Sequence, residues 1–392
     1  NVPAGYELKL VDGVYSVCSV EAKIGEVTYA TLAAAVNAAN EGDTITLVTN
    51  ITFTEATRTH NSGSWYDGLY YIGDKSFTID LDSCTIGHDN SVNDYLLNFK
   101  NVGAKANVIN LINGTIEAGS TAYCALATSS SNDNKMTINT ENINFVGNNS
   151  GGAVLKIRGG AELNVNAGTE ITGKDSYVGI ECYGATVNIY DGAEIYQNGT
   201  TSYNGCLVGV SGNGTVNVYG GYGKGVSGGF IAMTSGGTIN VEGGEWIANT
   251  DGSYANGNKS VLVAQSANGA SSIVNVKGGI FRGGYNCYGD AVGDAQLNIS
   301  GGNFNADPTS YVVSNNYKVV NEDDGTYTVE VDGFEKFYTA AGVETTSDDA
   351  AYSLMFTVTD YANNKVSVKI GNKKPVPNSN INLVTPSEVQ FE

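Results

Sequence analysis

Basic side chains are scarce in this sequence: 20 Lys and Arg stand against 40 Asp and Glu in 392 residues, a formal net charge of −20 at pH 7. Only three are arginines, Arg58, Arg158 and Arg282, and they lie far apart. Phosphate affinity rests on clustered Lys and Arg, so this balance excludes a nucleic-acid binder or a protein of anionic membrane surfaces. No apolar run approaches the roughly 18 residues that span a bilayer, which excludes membrane insertion by a helix. The opening NVPAGYELKLVDG has no basic flank followed by an apolar stretch, so it does not read as a secretory leader. The chain is expected to be a mature or trimmed form. Its six cysteines are too dispersed for a zinc site or a redox pair; they read as free apolar filler or, alternatively, as one or more bridges.

What is abundant is glycine, 51 residues, and it falls in a pattern. Segments of the form apolar, Asn, apolar, x, x, Gly recur: NVINLINGTI, AELNVNAGTEI, ATVNIYDGAEI, GTVNVYGGY, GTINVEGGEWI, SIVNVKGGIF and AQLNISGGNF, with FTIDLDSCTI and MTINTENINF as looser copies. Their centres are Asp80, Asn110, Asn139, Asn164, Asn188, Asn217, Asn240, Asn275 and Asn298, spaced 23 to 35 residues apart. Length alone suggests two or three domains, but a repeat of this period assigns most of the chain to one solenoid.

The residues flanking each centre are apolar, with Thr140 the one exception. Neighbours in a strand alternate faces, so these flanks point inward and the Asn points outward. Gly follows four places after seven of the centres, at Gly114, Gly168, Gly192, Gly221, Gly244, Gly279 and Gly302, where a turn with positive φ is expected. An apolar residue then opens a second inward strand: Ile116, Ile171, Ile195, Trp246, Phe281, Phe304. Roughly a dozen residues before many centres lies a third apolar stretch, as in YLLNF, AVLKI, YVGIE, CLVGV and SVLVA. Two or three short strands per repeat without helices describe an all-β fold, a parallel β-helix.

At the front, TYATLAAAVNAANEGD places Tyr29, Leu32, Val36 and Ala39 on one face of a short helix ending at Gly42, a lid for the open end of the stack. The run KIGEVTYATLAAAVNAANEGDTITLVTNI, followed by Asn-centred repeats, resembles the N-terminal cap and early rungs of the pectin-lyase-like right-handed β-helix superfamily. The closing run GGNFNADPTSYVVSNNYKVVNEDDGTYTVE resembles the last coil and terminal hairpin of β-helix modules in large bacterial surface proteins. The resemblance covers roughly residues 20 to 332 and implies a fold more than an activity, because the superfamily holds lyases, hydrolases, tailspikes and non-catalytic adhesins.

Within the chain, GYELKLVDGVYSVCSVEAKIG resembles NYKVVNEDDGTYTVEVDGF, as if the sequence opened on the tail hairpin of a preceding module. That similarity points either to tandem modules or to an end that docks on another copy. The expected organisation is a hairpin over 1–20, a helical cap and first strand over 21–50, the β-helix with its terminal hairpin over 51–332, and a small β region or tail over 333–392.

The ladder Asn110, Asn139, Asn164, Asn188, Asn217, Asn240, Asn275 and Asn298 reads first as structure, amides bonded along the stack, and second as a flat array for a glycan or for ice. Tyr190 and Tyr219, two places after their centres, are expected to stack on adjacent rungs and to offer a platform for sugars. Glu170 and Glu194, each six residues after its Asn, fall on neighbouring rungs. Carboxylates about 5 Å apart are the spacing of a retaining glycosidase, and Asp80 with Asp82 forms a weaker pair. The ordinary reading is loop acids turned apart into solvent.

The acid excess leaves calcium as an alternative, but DNSVND and SSNDNK are acidic loops without a calcium motif, so no cofactor is expected. The clustered Asp, His-Gly and Arg-x-Lys of polygalacturonase-like members of the resembled superfamily, and the calcium-binding acids and Arg of its pectate lyases, are missing. His60 and His88 are expected outside the regular coils, and Arg158 and Arg282 are not expected to converge. The resemblance thus implies an extracellular, cell-surface bacterial protein with a structural or adhesive role and no chemistry of its own, partnered by glycans, by other surface molecules, or by copies of itself laterally or end to end. A polysaccharide lyase or glycoside hydrolase, and a non-catalytic glycan or ice binder, are the alternatives.

Overall fold

A computed structural model of the chain describes residues 2–3, 5–12, 14–130, 135–198, 205–248, 260–267, 269–288, 294–313 and 317–331, together with the backbone of five strands beyond them. The fold is all-β and is dominated by long parallel stacks. The first stack holds the Asn-centred strands from Asp43–Leu47 through Phe77–Asp80 and Thr186–Ile189 to Ala295–Ile299. The second holds the strands after each turn, from Ile51–Phe53 through Glu170–Gly173 and Glu194–Gln197 to Gly302–Phe304. Asn107–Glu117 and Met136–Gly147 run unbroken from one stack into the other, which makes the two a single 22-stranded sheet. A third, nine-stranded stack runs from Leu69–Ile72 to Tyr285–Tyr288 and includes Tyr95–Lys100, Ala153–Arg158 and Cys206–Ser211. The chain visits the stacks in this order and repeats, an arrangement compatible with a β-helix.

The alternation legible in the sequence sets which side chains are buried. Ile79 and Leu81, Leu163 and Val165, Val216 and Val218, and Val274 and Val276 are all buried in one continuous core with Ile195, Phe230, Trp246, Phe281 and Phe304. Thr140, the polar exception, is also buried. Its hydroxyl accepts from Thr169 Oγ1 at 3.1 Å and donates to the Asn164 carbonyl at 3.2 Å, so the inward position carries no unpaired group.

Antiparallel hairpins stand at the start of the first stack and at the end of the second. Ala22–Ile24, paired with Val27–Tyr29, lies antiparallel on Asp43–Leu47, and Tyr327–Val331, paired with Tyr317–Asn321, lies antiparallel on Gly302–Phe304. Such strands stop a parallel edge from recruiting further chains. A leading hairpin, Tyr6–Val11 with Val14–Ser19, forms a two-stranded sheet with no further strand partner among the described residues. After residue 333 the described strands form a separate five-stranded antiparallel sheet.

Four expectations need correction. The helix is Leu32–Ala38, shorter than expected: Thr31 accepts the Ala34 N–H at its start, and Tyr29 belongs to the preceding strand. In the first looser copy Thr78, not Asp80, stands opposite Asn110, because the strand pairs two residues out of the expected register. At the Asn113–Gly114 turn the left-handed residue is Asn113, with φ of 62°. Gly114 is required for space instead, since a Cβ there would lie 2.4 Å from that of Leu81. His88 lies inside the second stack, opposite Phe53, rather than outside the repeats.

Candidate functional site: the aromatic pocket of the nine-stranded stack

The sequence between the second and third stacks of the first repeat contains an inserted hairpin, His60–Ser62 with Trp65–Asp67. It places Trp65 and Asp67 beside the start of Tyr95–Lys100. Asp67 is 1% exposed. Its Oδ2 accepts from His60 Nδ1 at 2.9 Å and Asn98 Nδ2 at 3.1 Å, and its Oδ1 accepts the Tyr95 N–H at 3.1 Å. A buried carboxylate with three donors is anchored, and it holds the hairpin and the strand in one relation.

Asp94 immediately precedes that strand, and its backbone carbonyl accepts the N–H groups of Tyr123 and Cys124. Burial, followed by the charge of Asp67, pushes the Asp94 carboxyl up to about 6, against the pull of Arg158. Lys156 and Arg158 sit two residues apart on Ala153–Arg158, and so on one face. The Lys156 ammonium pairs with Glu181 at 3.0 Å and lies 5.1 Å from the centre of the Tyr123 ring. Arg158 Nη2 donates to the Tyr95 hydroxyl at 2.9 Å.

Trp65, Asp94, Tyr95, Tyr123 and Lys156 line a cavity of about 390 Å³. That volume lies within the roughly 300 to 1,000 Å³ of ligand clefts. Two of its lining rings, Tyr95 and Tyr123, pack against a small apolar cluster of Cys124, Ala153, Val178, Cys206, Ile231 and Val263. All six cysteines of the chain are free, and burial pushes the Cys206 thiol up to about 12 and raises that of Cys124. These thiols are therefore inert filler of that cluster, not nucleophiles. The walls offer aromatic faces for stacking, with one ammonium and one carboxyl for orientation.

The residues singled out from sequence lie elsewhere. In the first stack each Asn amide donates to the Oδ1 of the preceding rung: Asn139 to Asn110, Asn164 to Asn139, Asn217 to Asn188, Asn240 to Asn217, Asn275 to Asn240 and Asn298 to Asn275 at 2.9 Å, and Asn188 to Asn164 at 2.8 Å. Asn110 closes the series on the Thr78 hydroxyl at 3.1 Å. All the amides point one way along the stack. Asp80, outside the series, accepts from Asn113 Nδ2 at 3.1 Å. Tyr190 and Tyr219 stack with centroids 5.2 Å apart and planes within 15°, both exposed.

Glu170 stands directly opposite Glu194 in the second stack. Each carboxylate accepts from a hydroxyl two residues on, Thr172 at 2.9 Å and Tyr196 at 2.5 Å. Among the described residues neither forms an ion pair. Asp82 lies in the adjoining turn with φ of 45°, so the Asp80 and Asp82 pair does not share a strand. No group of three or more His, Cys, Asp or Glu is placed to hold a metal among the described residues. Most of SSNDNK lies outside them.

Sequence reading missed Trp65, Asp67, Asp94, Tyr95, Tyr123 and Lys156 as a group. A signal was present: aligning the third-stack strands, as the Asn-centred ones were aligned, sets Tyr95 opposite Cys124 and hence Asp94 opposite Tyr123. The inserted hairpin carries no repeat pattern, so Trp65 and Asp67 had none. No family model, no curated protein and no solved structure matches the chain.

Proposed function

We propose that this chain is an extracellular, surface-displayed bacterial β-helix of the pectin-lyase-like kind, closed as a right-handed solenoid with Leu32–Ala38 as its lid, and that its role is structural and adhesive. Its partner is a glycan, held in the pocket of Trp65, Asp94, Tyr95, Tyr123 and Lys156. The observation that carries this reading is that pocket: three aromatic rings and two polar groups converge there. Sugar rings present C–H faces to aromatic planes and hydroxyls to polar side chains, and such a lining suits both. The Asn ladder supports a structural use of the first stack, because its amides are occupied with one another. No cofactor enters this reading.

Retention of the protein on an array of immobilised bacterial and host polysaccharides tests it. Trp65 is 54% exposed, so Trp65→Ala leaves the fold intact, and together with Tyr123→Ala it is expected to weaken retention roughly tenfold or more. A protein retained by no glycan, or variants retained as well as the parent, would overturn the reading.

A second reading, cleavage of a polysaccharide, has one observation in its favour: Asp94 holds a proton up to about pH 6 and so suits a general acid. Its natural partner Asp67 is buried and triply bonded, which removes it as nucleophile or base. Release of reducing ends or unsaturated sugars, abolished by Asp94→Asn, would establish cleavage in place of simple binding.

A further inference from the structure

The chain contains two hairpins of one pattern, and only one of them is seated. In the closing hairpin Tyr317 pairs with Val331, Val319 with Val329 and Asn321 with Tyr327. Its second strand lies on the last rung, Val329 opposite Gly302, Thr328 opposite Asn303 and Tyr327 opposite Phe304. Val329 is buried, and Tyr317, Val319 and Tyr327 pack against the core. In the leading hairpin Tyr6 pairs with Ser19, Leu8 with Val17 and Leu10 with Tyr15. Placed register on register, Tyr6 matches Tyr317, Leu8 matches Val319, Val17 matches Val329 and Tyr15 matches Tyr327.

Here the same face is bare. Tyr6, Leu8, Leu10, Tyr15 and Val17 are 53%, 54%, 62%, 70% and 60% exposed. The opposite face is turned to the body: Lys9 Nζ donates to Thr28 Oγ1 at 3.1 Å, and that hydroxyl donates to Glu7 Oε1 at 2.7 Å. A lone two-stranded ribbon is marginal in water, and a contiguous apolar face on it marks a surface meant to be covered. The exposed ribbon matches the seated one in apolar character, with Leu8 in place of Val319, Leu10 in place of Asn321 and Ser19 in place of Val331. Ser16 supplies a hydroxyl where Thr328 now accepts from Asn303 Nδ2 at 3.1 Å.

We propose that the exposed face of the leading hairpin is the interaction surface for the last rung, Gly302–Phe304, of a second copy of this chain, where it takes the seat of that copy's closing hairpin. The exchange conserves strand pairing, since two antiparallel strands leave the rung and two arrive. It is heterologous, the front of one copy meeting the rear of the next, so it extends into a filament unless the rotation closes a ring. Each copy carries a net charge of −20, and the junction therefore strengthens with salt. The proposal is independent of the pocket.

Sedimentation velocity of the full chain over a range of concentrations, at low and high salt, tests it. The parent is expected to form species larger than the monomer that grow with concentration and with salt. Leu8→Lys with Val17→Lys, both at exposed positions and checked for intact fold by circular dichroism, is expected to weaken that association at least tenfold. Register supplies a second readout in a Cys18→Ser background. A mixture of Ser16→Cys and Asn303→Cys chains is expected to give disulfide-linked pairs that neither variant gives alone, because those positions face each other across the junction. A parent that stays monomeric throughout, a lysine variant that assembles like the parent, or a mixture that fails to cross-link would overturn the proposal.

Discussion

The first and third stacks share one repeat and one core, yet they treat their outward polar groups in opposite ways. On the first, every Asn from Asn110 to Asn298 is engaged by the rung before it, and the same side chain recurs at the same place. On the third, the outward position passes from Asn98 to Ala127, Lys156, Glu181 and Gly209, with no repeat at all. A periodic face can satisfy itself by translation, whereas an aperiodic one cannot and must be built residue by residue. The difference separates a surface that holds the stack together from a surface that can recognise something.

The largest effect concerns what the stacks share. Trp246 of the second stack meets Phe230 of the third edge to face, with centroids 4.7 Å apart, and is fully buried. Trp246→Ala is expected to cost about 3 to 5 kcal/mol in urea unfolding. A smaller loss would mean that the stacks do not share a core.

Within the ladder, Asn217→Ala removes one bond to Asn188 and one from Asn240. The expected cost is about 1 to 2 kcal/mol. At the end of the series Asn298→Ala removes only the bond to Asn275 and should cost about half as much, read by the same unfolding curves. Equal costs at both positions would mean that the ladder bonds do not carry the stability assigned to them.

On the third stack the expected sign reverses. The folded pKa of Asp94 is raised to about 6 from an ordinary 3.8, so the folded state binds more protons between those values and loses stability as pH rises through them. The penalty is fully present above pH 6 and absent below about 4. Because the carboxyl is only half-buried, solvent holds it to roughly 1 kcal/mol. Asp94→Asn should therefore stabilise the chain slightly at pH 7.5 and not at pH 4, measured by thermal unfolding. The smallest effect belongs to the exposed Tyr190 and Tyr219 stack, where Tyr219→Ala should cost about 0.5 kcal/mol.

The repeat made the first two stacks readable because translation multiplies a weak local signal: one buried flank says little, but Ile109, Val187, Val216 and Val274 in the same place define a face. The register failed only at Asp80, in a copy without the Asn and Gly that fix it elsewhere. The pocket was not readable for the converse reason. Trp65 and Asp67 come from an insertion that occurs once, and Asp94 and Tyr123 meet only when third-stack strands are aligned with each other. Glu170 and Glu194 do stand opposite each other, as their common offset required, but neither lines the aromatic pocket.

Calorimetric titration of one array-positive glycan into the parent, Tyr123→Ala and Asn217→Ala tests the division of labour most directly. The account predicts that Tyr123→Ala weakens binding roughly tenfold or more while Asn217→Ala leaves it unchanged and only lowers stability. Binding lost with Asn217→Ala and kept with Tyr123→Ala would contradict it, and would make the Asn ladder the recognition surface.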